Sequence, residues 1–184
     1  LAGLGGAAVK IGSDFEAAMS RVKAISGATD EEFEKLNEQA KQLGADTSFS
    51  ASQAAEGMEN LAAAGFTVNE ITDAMPGLLD LAAASGEDLA SSSEIAASAL
   101  RAFGLEASEA GHVADVLAAN ANMTNASVTD TGYAFKYVAP IAKSLGVSME
   151  ETAAAVGLLS NAGIKGEQAG TVLRGAMTRL VKPT

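Results

Sequence analysis

One stretch constrains this chain more than any other: Leu145-Gly146-Val147-Ser148-Met149-Glu150-Glu151-Thr152, echoed at Asn161-Ala162-Gly163-Ile164. A glycine followed by an apolar residue is how a helix ends when its last residue turns left-handed and the next side chain folds back on the final turn. Ser148 with Glu151 three residues on has the form of a capping box, which starts a helix. One helix therefore stops and another begins within about four residues. Ala64-Gly65-Phe66-Thr67 and Phe103-Gly104-Leu105 repeat the joint, so Gly65, Gly104, Gly146 and Gly163 read as structural hinges between short helices.

The periodicity fills in the segments between. Phe15, Met19 and Val22 predict a helix from about Ala7 to Ile25, ended by Gly27 and preceded by a Gly-rich leading edge over residues 1–14. Thr29 and Glu32 open a second helix with Phe33, Leu36, Ala40 and Leu43 on one face and Gly44 as its stop. Ser50 and Gln53 open a third, carrying Ala54, Met58 and Leu61 to Gly65. Asn69 caps a short helix that Pro76 breaks near Met75, and a new one runs across Leu78, Leu79 and Leu81 to Gly86. Leu89 to Phe103 and Ala110 to Ala121 follow, with residues 122–130 as an exposed polar loop. Tyr133, Tyr137, Ile141 and Leu145 mark a helix kinked or interrupted at Pro140; Met149, Thr152, Val156 and Leu159 mark the next. Val172, Leu173, Ala176 and Leu180 form the apolar face of the last, which runs to Pro183.

No stretch alternates with period two, so the expected class is all-α: about eight or nine short Ala-rich helices on glycine hinges, in an irregular bundle. The hinges lie 39, 42 and 17 residues apart, too uneven for a tetratricopeptide or armadillo array. A weak duplication pairs Gly65, Phe66, Val68 and Glu70 with Gly146, Val147, Met149 and Glu151. The 184 residues suit a single helical module, and a start without Met reads as a fragment of a longer protein.

Chemistry is sparse. With no Cys and a single His, thiol nucleophiles and Cys-type zinc sites are excluded. Ser108, His112 and Asp115 share a helix face, which offers no oxyanion hole, so His112 reads as a surface side chain contacting Asp115. The pairs Glu31-Glu32, Glu87-Asp88 and Glu150-Glu151 sit where first helical turns favour carboxylates. Gly3-Leu4-Gly5-Gly6 lacks the Lys-Ser/Thr ending of a phosphate loop. Asn122-Met123-Thr124 and Asn125-Ala126-Ser127 match the glycosylation sequon but read as turn and cap residues. No catalytic, metal or cofactor-binding residue is assigned, and no cofactor is expected. Charge is uneven: residues 46–130 hold thirteen acids against Arg101, whereas beyond 130 six basic residues face three acids. Arg174, Arg179 and Lys182 form the one basic cluster, a possible interaction site. No run of 18 apolar residues marks a membrane span.

Several strings together resemble the core region of phage tail tape measure proteins. They are Phe15-Glu16-Ala17-Ala18-Met19-Ser20-Arg21-Val22, Leu43-Gly44-Ala45-Asp46-Thr47-Ser48-Phe49-Ser50-Ala51-Ser52-Gln53-Ala54-Ala55, Leu61-Ala62-Ala63-Ala64-Gly65-Phe66, Leu81-Ala82-Ala83-Ala84-Ser85, Phe103-Gly104-Leu105, and Gly163-Ile164-Lys165-Gly166-Glu167-Gln168-Ala169-Gly170-Thr171-Val172-Leu173-Arg174. The resemblance implies a structural, non-enzymatic protein of the virion that occupies the tail lumen, sets tail length and leaves ahead of DNA. It implies as partners other copies of itself, tail tube and tail initiator proteins and an assembly chaperone, with the host cytoplasm as the place of assembly and no sequence-specific contact to nucleic acid. Two rivals remain: a bacterial helical protein-protein interaction bundle of signalling or secretion type, and a cell-wall hydrolase region of the kind some tape measure proteins carry.

Overall fold

The computed structural model describes the backbone of residues 2–182 and the side chains of Lys10 and residues 12–182. Its elements are α1 (Ala2–Ser26), α2 (Asp30–Asp46), α3 (Ala51–Ala63), α4 (Val68–Ser85) and α5 (Leu89–Phe103), then a 3-10 turn (Ala107–Glu109), α6 (Ala110–Met123), α7 (Val128–Ser144), α8 (Met149–Asn161) and α9 (Gly166–Val181). The class is all-α, with no strand among the described residues. The expected leading edge is helical from Ala2, and Pro183 as a helix stop lies outside the described residues.

Local chemistry sets the starts. Thr29, Ser50 and Ser148 cap through the boxes expected for them, and Thr67 with Glu70 and Ser127 with Asp130 do the same. Thr67, not Asn69, is thus the cap of α4. The segment read as a long loop is only residues 124–127, because Ser127 starts α7 and Ala126 is buried.

The expected break at Pro76 does not occur: α4 is one helix through it. Proline strips the i−4 carbonyl, here that of Thr72, of its helical donor. Gln39 of α2 supplies the replacement, its Nε2 donating to the Thr72 carbonyl at 2.9 Å. Pro140 likewise lies inside an uninterrupted α7. Gly44 does not stop α2, which continues to Asp46; a Cβ on Gly44 would lie 2.8 Å from the Ala51 Cα, so the residue allows α3 to start against it.

From α2 onward each helix packs on its successor, and every helix packs on the one two places along; helices further apart make no substantial contact. Odd helices thus stack in one layer, α1-α3-α5-α7-α9, and even helices in a second, α2-α4-α6-α8. This is the contact pattern of a helical-hairpin array. The uneven spacing read from the sequence mixed two kinds of joint. Gly27, Gly65, Gly104 and Gly146 end odd helices at intervals of 38, 39 and 42 residues, whereas Gly163 ends an even one.

Leu36, Leu61, Ile71, Leu78, Leu100, Leu117 and Phe135 lie in one continuous core fed by both layers. Ala134, Val156 and Ala169 form a second, small cluster where α7, α8 and α9 meet. Two expected faces are corrected. Tyr133 of α7 is exposed while Ala134, Phe135, Val138 and Ala142 point inward, because a phenol keeps its hydroxyl wet and alanine permits close helix approach. In α9 the buried residues are Gly166, Ala169 and Gly170, and Val172 and Leu180 are exposed.

Candidate functional site

The four joints singled out in the sequence share one geometry. Gly65, Gly104, Gly146 and Gly163 have φ of 84°, 67°, 70° and 87°. At Gly146 its N–H donates to the Lys143 carbonyl at 3.1 Å and the Val147 N–H to that of Ala142 at 2.9 Å. Phe66, Leu105 and Ile164 reach back five residues in the same way, to Leu61, Leu100 and Leu159, which makes all four Schellman closures. Directly after, the Ser148 hydroxyl accepts from the Glu151 N–H at 3.1 Å and the Glu151 carboxylate accepts from the Ser148 N–H at 3.0 Å. The Gly146 turn thereby satisfies the orphan groups of two helix ends at once, as the Gly65 turn does with the Thr67 box, whereas Lys165 after Gly163 gives α9 no side-chain cap.

A Cβ on Gly146 would meet nothing within 4 Å, so its requirement for glycine is conformational alone. Gly146→Val is expected to lose about 1–2 kcal/mol in urea denaturation, since a β-branched residue is disfavoured in the left-handed region. Gly146→Asn should lose less than half as much. Equal losses for the two would sink the conformational explanation.

The expected contact of His112 with Asp115 is replaced by one across helices. His112 Nε2 lies 2.5 Å from Glu150 Oε1, tying α6 to α8. The acid pairs have separate structural tasks: Glu32 completes the box with Thr29, Asp88 caps α5 through the Ser91 N–H, and Glu87 accepts from Thr129 at 2.7 Å. Glu87 and Asp88 thus precede the first turn rather than lying in it. Both sequons are absorbed the same way: Thr124 donates to the Asn120 carbonyl, the Asn125 N–H donates to Asn161, and Ser127 is the α7 cap.

The backbone N–H groups of Thr29 and Thr67 hold the Glu32 and Glu70 carboxyls below the ordinary value of 4.5, and that of Ser91 lowers Asp88 from 3.8. With native values depressed, the unfolded chain binds more protons in this window, so the stabilisation is complete above the ordinary values and disappears as pH falls through the native ones. The urea midpoint is therefore expected to fall on acidification through the region below 4.5. Glu32→Gln with Glu70→Gln, patterned on the native Ser50-Gln53 box, should flatten part of that fall. An unchanged pH profile would remove the caps from the explanation.

Arg174, Arg179 and Lys182 are exposed along and just beyond α9 and form no ion pair among the described residues. The structure relates them to a larger division. Helices α4, α6 and α8 contain Glu70, Asp73, Asp80, Asp115, Glu150 and Glu151 but no Lys or Arg. Every basic residue beyond 46 lies on α5, α7 or α9 or beside the ends of α9. Beyond residue 46, then, the cations keep to the odd layer, whereas the acids are shared between layers: Glu56, Glu59, Glu94 and Asp130 lie on odd helices, and Lys35 and Lys41 lie on α2 of the even layer. The signal was available: alternate helices had to be compared with one another instead of neighbouring segments. Among the described residues no three His, Asp or Glu side chains gather as metal ligands, and no helix is long and apolar enough to cross a membrane.

Residues 37–184 match the family described as phage-related minor tail protein. The chain is 62% identical over its whole length to the tape measure protein of Pneumococcus phage Dp-1, of which it covers 16%. It is 37% identical over 94% of its length to the probable tape measure protein of Escherichia phage P2, covering 22% of that protein. A third similarity, 28% over 80% of the chain, is to the probable tape measure protein of Clostridium phage phiCD119, of which 16% is covered. The chain thus spans less than a quarter of each relative. No solved structure matches it.

Proposed function

The chain belongs to the phage-related minor tail protein family, and from that premise we propose that it is the folded module of a tape measure protein, a structural component housed in the tail lumen. The observation that carries this reading is the 62% identity maintained from end to end with a tape measure protein. As one continuous helix, a chain of this length would extend about 280 Å. Here it is doubled back into helices of 13 to 25 residues, which makes it a poor ruler and a good anchor. The module marks a defined place on the tape, where tail initiator or tube proteins and other copies of the tape meet it during assembly in the host cytoplasm. An assembly chaperone would hold it before it enters the tube. Its acidic segment, residues 46–130, would repel the DNA that follows it through the channel. It performs this role without catalysis, and the glycine joints serve as hinges for folding and passage.

Deleting the module in frame is expected to stop tail formation, whereas deleting an equal length of helical tape elsewhere shortens tails by about 1.5 Å per residue in electron micrographs. Proportional shortening on loss of the module would make it plain ruler. Tails of normal number and length would favour an interaction bundle of signalling type, and murein hydrolysis by the purified chain would overturn the non-catalytic role.

A further inference from the structure

Two prolines lie inside helices, and they are treated differently. Pro140 leaves the Lys136 carbonyl without a helical donor, and no side chain among the described residues donates to it. Pro76 leaves that of Thr72, which Gln39 Nε2 of α2 serves at 2.9 Å. A carbonyl oxygen can only accept, so the NH2 end of the Gln39 amide must face it and the oxygen must face away. The turn concerned is the weakest in α4. Thr72 Oγ1 donates to the Val68 carbonyl at 2.9 Å, a back-bond that bends helices, and Gly77 directly follows the proline. The two halves of α4 are also held by different neighbours. A Cβ on Gly77 would lie 2.7 Å from the Gly111 Cα, so the second half rests on the backbone of α6, whereas the first half is bonded to α2 through Gln39.

We propose that Gln39 is a catch that keeps α4 straight, and that release of α2 lets α4 bend at Pro76, so that the array carries a hinge inside a helix. The docked state is poised for release. Gln39 Oε1 and Asn37 Oδ1, both on α2, are buried without a donor, and moving α2 into water satisfies both. The ties of α2 to α1 are of the weak kind: Lys23 pairs with Asp30, whose side chain is 96% exposed, and two lysines lie over rings, Lys23 on Phe33 and Lys41 on Phe15. Once α2 leaves, the Thr72 carbonyl loses its only side-chain donor, and a kink at Pro76 turns that oxygen to water. The glycine joints connect one helix to the next; this hinge lies within a helix and is controlled by another one.

The test uses the full 184-residue chain, which has no native Cys. Spin labels on Asn69→Cys and Asp115→Cys, both exposed positions, report the distance from the first half of α4 to α6. With Gln39 intact, one distance is expected. Gln39→Ala should add a second population displaced by about 3 Å or more, as a kink of about 20° acting over an arm of about 10 Å requires. Amide exchange in α2 and in residues 68–75 should then accelerate about tenfold. Gln39→Glu, which fills the same space without a donor, should do the same. Pro76→Ala restores a backbone N–H to the Thr72 carbonyl, so Gln39→Ala combined with Pro76→Ala should return the single distance and the native exchange of α4 while α2 still exchanges faster. Circular dichroism checks helix content; if Gln39→Ala alone lost it, Pro76→Ala must restore it. An unchanged distance and exchange in Gln39→Ala overturn the proposal. So does a second population that persists when Pro76→Ala is added, because the proline would then have no part in the opening. Neither failure touches the tail-length experiment or the reading it tests.

Discussion

Phe135→Ala is expected to be the most damaging single truncation in the chain, costing about 3–5 kcal/mol in urea denaturation. Phe135 is 2% exposed and meets Phe103 edge-on, with ring centroids 5.0 Å apart and planes at 78°. The pair joins α7 to α5, so the loss removes both buried area and an aromatic contact that adds about 0.5–1.5 kcal/mol of its own. The surroundings make the void hard to fill. Ala96, Ala99, Ala134, Ala139 and Ala142 are all buried in these two helices, and alanine has no rotamers with which to close a cavity. Phe135→Leu keeps most of the volume and should cost less than half as much. Because each helix touches only near neighbours, hydrogen exchange in the variant should accelerate across α5, α7 and α9 while α2 keeps its protection. A loss under about 1 kcal/mol would mean that the stability of the array lies elsewhere.

A second large effect is expected where a standard helix rule points the wrong way. Glycine inside a helix is usually worth replacing, since alanine gains about 1 kcal/mol of propensity. Gly77 in α4 should do the reverse. A Cβ there would lie 2.6 Å from the Gly111 nitrogen, 2.7 Å from its Cα and 3.0 Å from the Ala110 carbonyl carbon, all backbone atoms of α6 that cannot rotate away. Separating α4 from α6 to admit the methyl group would loosen Leu78 and Leu117 behind it, so Gly77→Ala should destabilise by about 1–3 kcal/mol. Gly175 in α9 has nothing within 4 Å of its would-be Cβ, and Gly175→Ala should stabilise by up to about 1 kcal/mol. The same substitution is thus expected to change sign between two helices. If Gly77→Ala raised the thermal midpoint, close backbone packing between even helices would not be what holds that layer.

These two sites separate what could be read early from what could not. The glycine joints and most caps were legible because every bond that defines them closes within six residues: Val147 to Ala142, Gly146 to Lys143, Glu151 to Ser148. No distant part of the chain is needed to decide them. The all-α class follows from the same signals. Pro76 was misread because the group that rescues α4, the Gln39 amide, lies on another helix, 33 residues before the Thr72 carbonyl it serves. Gly44 and Gly77 resemble stops or weak points in the sequence, and only their distances to Ala51 and Gly111 identify them as contacts.

The candidate surfaces divide in the same way. Arg174, Arg179 and Lys182 were visible as a cluster, and the acidic excess was visible as a run. That every basic residue beyond 46 belongs to the odd layer was not, because it depends on alternate helices stacking. Nor was the inward face of α7, since a helix in which alanine is frequent has no single apolar stripe and its two tyrosines suggest the wrong side. The sequence by itself thus determined the helices and the joints between them, whose hydrogen bonds are local. Only the tertiary structure decided which faces are inside, that Pro76 is tolerated and that the cations beyond residue 46 share one layer, because those depend on atoms brought together from tens of residues apart.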